Sequence, residues 1–308
     1  MTIPSHILTH LPFFAAVANR LSFTQAAADL NVGQSAISYQ IRELEKKLGI
    51  RLIVRAPGSH VQLTAAGRAL ADDYAAMDRR LAVTLECLAP DRLEGKLTVT
   101  VPVDFGSIVM PHALARLAHT APDLEVILKV SDDMTDMERE AVDLAIRSKP
   151  EGDGLVHRTL AHAPKRMVAS SEYIAVHGTP ESADDLKTHS LLLRGHNASP
   201  SWQNFLDAHG MSLADVPKVR VFSNSFALAE AARAGLGVAL LPAFMVMDRG
   251  AGNLISLMDD AVAPFGGTFY ISHLPLPQLS RRKQALVDAI SDTLAAAPLS
   301  DAFRRSDT

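Results

Sequence analysis

The chain has 308 residues, 48% of them hydrophobic, a formal net charge of −4 and a single cysteine. That is apolar material enough for two or three cores. The lone thiol, Cys87, excludes an intramolecular disulfide and a thiolate metal cage, and reads as an inert helical thiol rather than a redox sensor. No run approaches about 18 uninterrupted apolar residues and no charged-then-apolar leader opens the chain, so a cytoplasmic protein without membrane contact is expected. The negative total argues against nucleic acid until its distribution is read. Residues 1–68 carry seven Lys and Arg against three acids, a basic head on an acidic remainder.

In chain order, the first strong pattern is SFTQAAADLNVGQSAISYQIRELEKKLGIRL, from Ser22 to Leu52. It predicts two helices around a tight Asn31-Val32-Gly33 turn. Ser22 or Thr24 caps the first, and Ala26, Ala27 and Leu30 form its apolar stripe. In the second, Ile37, Ile41, Leu44 and Leu48 share a stripe, while Gln34, Ser35, Ser38, Tyr39, Arg42 and Lys46 stay polar and outward. Hydroxyls, a phenol and cations are the groups that bond base edges and phosphates. A plain solvated surface helix is the competing reading, and the next segment of the chain weakens it. Residues 49–55 and 61–64 alternate like two short strands around Pro57-Gly58-Ser59, a β-wing that sets Arg51, Arg55 and His60 beside a DNA backbone. Thr64 then caps a new helix.

These pieces, FFAAVANRLSFTQAAADLNVGQSAISYQIRELEKKLGIRL and VQLTAAG, resemble the N-terminal winged helix-turn-helix of LysR-type transcriptional regulators. Two positions depart from the usual pattern. Gly33 stands where that family usually has Ser, and Tyr39 where Arg is frequent. Glycine still caps a helix, so only the preferred bases are affected.

Residues 64–88 read as one long helix, with Leu70, Tyr74, Met77, Leu81 and Leu88 in a heptad seam broken at Thr84. Such a helix needs a partner. Pairing with a second copy is preferred over packing on the chain's own C-terminal part, because a two-fold operator needs two reading heads. Ala89-Pro90 ends it.

Beyond Leu93, short apolar strands alternate with helices, the sign of parallel α/β units. Strands are expected at Lys96–Val103, Leu124–Val130, Asp143–Arg147, from Arg166, at Val219–Ser223, Gly237–Leu241 and Thr268–Ser272. Helices are expected from near Ser107, at Ser225–Ala234 and at Arg281–Ala296. The fold class is therefore α/β behind an α-rich winged helix-turn-helix. The expected domains are 1–66 for DNA binding, 67–92 as linker and dimerisation helix, and 93–300 as a two-lobed effector domain. Lobe I would span 93–161 and 268–298, and lobe II 162–267. Two lobes joined by two crossings leave a cleft suited to a small molecule. DLAIR, the Trp202 helix and FSNSFALAEAARAGLGVALLP resemble the LysR effector domain, similar to a periplasmic-binding-protein fold, in the branch with the glycine-cleavage activator and the β-lactamase regulators.

Enzyme signals are weak. Gly235-Leu236-Gly237 lies between helix and strand in the reverse of the dinucleotide order. The twelve histidines show no ligand spacing, so no catalytic residue, metal or cofactor is expected. An effector site is better supported. The loop from Pro102 to Ser107 and the stretch Ser223-Asn224-Ser225 each lead into a predicted helix N-terminus, and two such ends facing one cleft would hold a carboxylate without a buried cation. Plain capping serines are the alternative. The family match adds Pro102, Ser131, Asp132, Asp133, Trp202, Asn224 and Ser225 as effector positions. Asp104, Asp132, Asp133 and Asp136 are expected on turns around the cleft, either as turn formers or facing an ammonium.

The expected function is a sequence-specific transcription factor controlled by a small anionic or zwitterionic metabolite. A solute-binding protein, or an enzyme with an accessory DNA module, is disfavoured. The implied partners are double-stranded operator DNA with two-fold symmetry, the effector and a second copy. The resemblance further implies a homotetramer built as a dimer of dimers, and RNA polymerase.

Overall fold

Leu11, Phe14 and Val17 fall on one face of a helix, and all three are buried. Ser22, with extended backbone, accepts the Gln25 N–H at 3.3 Å and starts the next helix. In the computed structural model, the described residues are all except 1–4, 56–60, 89–92, 151, 196–199, 248–252, 263–264, 276–278 and 304–308. They divide into two units, Met1–Leu88 and Ala89–Thr308.

The first unit runs α1 (Ser5–Leu8), α2 (Leu11–Arg20), α3 (Phe23–Asp29), α4 (Gln34–Leu48), β1 (Ile53–Arg55), β2 (Val61–Leu63) and α5 (Ala65–Leu88). Asn31, at φ 51°, reverses the chain between α3 and α4, and Gly33 caps α4 with no side-chain bond. Phe14, Val17, Ala26, Ile37, Ile41, Leu44 and Leu52 seal one core. β1 and β2 form the antiparallel wing, and their connecting turn lies outside the described residues. Glu45 Oε1 accepts the Leu52 N–H at 2.7 Å and the Ile53 N–H at 3.1 Å, so α4 fixes where the wing starts. Thr64 Oγ1 accepts the Gly67 N–H at 2.9 Å and donates to the Arg51 carbonyl at 2.8 Å. One hydroxyl therefore caps α5 and ties it to the wing.

In the second unit, lobe I holds β3 (Gly95–Val101), α6 (Val103–Ile108), α7 (Met110–Thr120), β4 (Leu124–Val130), β5 (Leu144–Arg147) and β6 (Val156–Ala163). Lobe II follows with β7 (Lys165–Ser170), α8 (Ser171–His177), β8 (Ser190–Arg194), α9 (Pro200–Ala208), β9 (Lys218–Phe222), α10 (Ser225–Arg233), β10 (Val238–Pro242), α11 (Ala243–Val246), β11 (Leu254–Leu257) and α12 (Asp259–Val262). The chain returns to lobe I through β12 (Gly267–His273) and α13 (Arg281–Ala295). Strand orders are β4-β3-β5-β12-β6 and β11-β7-β10-β8-β9.

Neither sheet is purely parallel, which corrects the expectation of parallel units. β12 runs antiparallel to β5 and β6, and β7 antiparallel to β10 and β11, because the strand entered at each crossing slots in second from the sheet edge and against both its neighbours. A second correction concerns lobe membership. Ala243, Phe244 and Met245, expected in lobe II, pack in the lobe I core, where Phe244 stacks on Phe303 at 4.9 Å. A third concerns the first loop. Pro102, not a serine, precedes the helix, so α6 opens at Val103 and Ser107 sits in its last turn.

Candidate functional site

Each unit carries its own candidate surface. On α4, the Ile37, Ile41 and Leu44 side faces the core, and the opposite side is open to solvent. Gln34, Ser35, Arg42 and Lys46 are exposed, Ser38 is half-buried, and Tyr39 is 55% exposed. Gly33 opens this helix with its free backbone N–H groups next to Gln34 and Ser35, an end that favours a phosphate. Thr24 and Arg51 are exposed as well. The Arg55 side chain and His60 lie outside the described residues. Gln40 and Lys47, on the flank of α4, instead bond the buried His10 ring at 2.5 and 2.7 Å.

Along α5 the heptad seam divides. Leu70 and Tyr74 pack against the head's own core. Met77 and Leu81, with Leu85 beside the break at Thr84, are 39%, 56% and 56% exposed. The side chain of Leu88, like that of Cys87, lies outside the described residues.

In the second unit, a pocket of about 340 Å³ opens where the carboxyl ends of β5 and β8 meet the two crossings. Pro102, Asp104, Asp132, Met134, Arg147, Lys149, Lys165, Arg194, Pro242 and Thr268 are among its walls. Ligands bind outside the carboxyl ends of strands in open α/β sheets, and this pocket obeys that rule.

Of the eight positions expected to hold the effector, Pro102 and Asp132 line this pocket. Ser107 is exposed on the last turn of α6. Ser131 and Asp133 bond each other within a turn. Trp202 is buried in the lobe II core and donates its indole N–H to the Leu192 carbonyl at 3.0 Å, so it is a packing residue. Asn224 caps α10 by accepting the Ala227 N–H, and Ser225 is buried and donates to Asp104 Oδ2 at 3.1 Å. These correct the picture of two serine-bearing helix ends around the ligand: the Ser225 hydroxyl is spent on Asp104, and Ser107 lies at the far end of α6.

Cations make the site instead. Arg147 is 8% exposed and donates to the Ile146 and Asp133 carbonyls and to the Thr100 and Thr135 hydroxyls. It thereby holds the loop after β4 against β3 and β5. That loop presents Asp132, whose Oδ2 meets Arg194 Nη2 at 2.8 Å, and whose Oδ1 accepts the Val103 N–H at 3.2 Å. Asp104 is 3% exposed, and its Oδ2 lies 4.0 Å from Arg194 Nη1. Asp132–Arg194 and Asp104–Ser225 therefore both join lobe I to lobe II beside the pocket. Lys165 opens β7, and burial pushes its ammonium down to about 8, with Asp104 opposing that shift and Arg194 adding to it.

Sequence reasoning missed Arg147, Lys149, Lys165 and Arg194. A signal existed for two of them. LAIR and SLLLR are apolar strands that close on a charged residue, which a buried strand keeps only for a purpose at its end.

Two family models match the chain: a bacterial regulatory helix-turn-helix protein of the lysR family over residues 8–68, and a LysR substrate binding domain over residues 90–295. The HTH-type transcriptional activator AmpR of Pseudomonas aeruginosa is 35% identical over 254 residues, covering 80% of this chain and 81% of that one. The glycine cleavage system transcriptional activator of Escherichia coli is 29% identical over 269 residues, covering 86% and 87%. Among solved structures, CrgA of Neisseria meningitidis, a LysR-type transcriptional regulator, has a TM-score of 0.58 at 25% identity, covering 96% of this chain and 100% of that one.

Proposed function

Because the chain belongs to the LysR family of DNA-binding transcriptional regulators with an effector-binding domain, we propose that α4 is its reading helix and the inter-lobe pocket its effector site. In this reading α4 enters a major groove of operator DNA. Gln34, Ser35, Ser38 and Tyr39 meet base edges, and Arg42, Lys46, Thr24, Arg51, Arg55 and His60 meet the backbone. The observation that carries it is the division of α4 itself. One face is sealed by Ile37, Ile41 and Leu44, and the other offers Gln34, Ser35, Tyr39, Arg42 and Lys46 to solvent with no carboxylate among them. A salt titration of DNA binding tests it. Arg42→Ala should weaken binding to every duplex and lower the slope of log affinity against log salt by about one. Gln34→Ala should instead change which duplex is preferred. If neither variant alters DNA binding, α4 is not in the groove.

The pocket would take a small anionic or zwitterionic metabolite, and the reading assigns it no catalysis, metal or cofactor. The effector acts on DNA binding only through different affinities for two arrangements of the protein. The segments 1–66, 67–92 and 93–300 are proposed as reading head, linker helix and effector domain of a cytoplasmic regulator that works with RNA polymerase. Among the described residues no helix is long and apolar enough to cross a membrane.

Two-fold operators require pairing, and the exposed Met77, Leu81 and Leu85 on α5 supply an apolar surface for a second copy. A dimer of such dimers is the proposed assembly. Leu81→Asp would place an unpaired charge in that contact and should halve the mass measured by light scattering. An unchanged mass would remove α5 as the pairing helix.

A further inference from the structure

The pocket wall carries four cations, and three of them have partners. Arg147 is bound to two carbonyls and two hydroxyls. Arg194 is paired with Asp132. Lys149 also has a partner. Lys165 differs, having no hydrogen-bond or ion-pair partner among the described residues. The carboxylate that acts on it is Asp104, whose oxygens accept the Phe105 N–H at 2.7 Å and the Ser225 hydroxyl at 3.1 Å and make no bond to Lys165 among the described residues. Arg194, from β8, repels it. Arg147 and Lys149 at the end of β5, and Asp132 on the loop after β4, complete the charged groups of the wall.

Lys165 is half-buried, and an ammonium partly withdrawn from water without a bonded counter-ion is kept at a cost. A pocket wall that half-buries a lysine, sets it among three other cations and leaves it without a bonded counter-ion is prepared for an anion from outside. We propose that Lys165 anchors the effector by receiving an oxyanion, a carboxylate or phosphate group of a small metabolite, against Nζ. The proposal rests on the pocket being the effector site.

It has a consequence in protons. Free Lys165 titrates at about 8, below its ordinary 10.5, because burial disfavours the charged form. An anion at Nζ favours the charged form and moves the group back up. Between these two values the complex holds more proton than the free protein, so binding takes up protons there. Affinity is full below about 8 and falls as pH climbs toward 10.5.

Isothermal titration calorimetry on the full chain tests this, with succinate and inorganic phosphate as separate probes. The titrations use two buffers of different ionisation enthalpy, near the free titration point. At least one probe should bind, and which one does distinguishes carboxylate from phosphate recognition. For that probe the heats should differ between buffers by proton uptake. Lys165→Met should weaken binding by about tenfold to a hundredfold, the loss of one charge-assisted bond, and Lys165→Arg should keep most of it. Acetylation of Lys165 followed by mass spectrometry should show a midpoint near 8 that rises with the probe present.

Thr268→Phe, which fills the pocket, separates the two claims. If Thr268→Phe abolishes binding and Lys165→Met does not, the pocket is used and Lys165 is not its anchor. Binding that ignores both changes places the site elsewhere and removes the pocket reading too. If neither probe saturates at millimolar concentration, the anchor role is overturned.

Discussion

Gly67→Ala is expected to abolish DNA binding and to unfold the wing. A Cβ at Gly67 would stand 2.1 Å from the Leu52 carbonyl oxygen and 3.0 Å from its carbon. These are backbone atoms, so no rotamer relieves the clash. Leu52 cannot move, because its side chain is fully buried and its N–H is held by Glu45 of α4. The first turn of α5 would have to leave the wing, breaking the Thr64–Arg51 bond and displacing Arg51. Overpacking of this kind costs roughly 3 kcal/mol, a large part of a small unit's stability. Thermal melts should show the head unfolding earlier while the Ala89–Thr308 unit keeps its transition. A variant that melts and binds DNA as the parent does would mean that this approach is looser than described.

The second large effect is expected from Arg147→Met. The side chains are similar in length, but Met leaves two carbonyls and two hydroxyls without their shared donor in a buried setting. That loss is worth about 3 kcal/mol, or a fall in melting temperature of roughly 5–10 °C for a unit of this size. The loop bearing Asp132 would then come free, Arg194 would lose its partner, and ligand binding in the pocket should vanish. DNA binding by the ligand-free protein should persist, since the head is a separate unit. Arg147→Lys should not rescue binding, because one ammonium cannot reproduce a planar fork reaching four acceptors. Wild-type melting with intact ligand binding would contradict the assigned role.

The features legible in the sequence were those that depend on near neighbours. Ile37, Ile41 and Leu44 declare a buried helix face by spacing alone, and α4 occupies Gln34–Leu48 with those three inward. LEVILKV and VALLP are apolar runs that form strands wherever they are packed. β6, VHRTLAHA, carries no such run, because it is an antiparallel edge strand half open to solvent, and it was not legible. The same holds for the sheet directions. Whether β12 runs with or against β5 is decided by where the chain re-enters lobe I, which no local pattern encodes.

The site was less legible than the fold for a related reason. Ser107 and Ser225 were expected at helix starts aimed at a ligand, yet Pro102 precedes α6, Ser107 sits in its last turn and Ser225 is turned to Asp104. The only tryptophan, Trp202, expected at the effector site through the family match, is a core residue in space. Arg194 of lobe II meets Asp104 and Asp132 of lobe I, and Lys165 comes within the field of Asp104, only after both crossings have closed. Charge at a strand end was the usable signal, and reading it would have found Arg147 and Arg194.

Sequence-specific DNA binding is tested most directly by gel retardation of the duplex upstream of the chain's own coding sequence. The full-length protein should retard that duplex against an excess of scrambled competitor, with an affinity that falls linearly in log salt. Retardation no stronger than that of the scrambled duplex, or none at low salt, would contradict it.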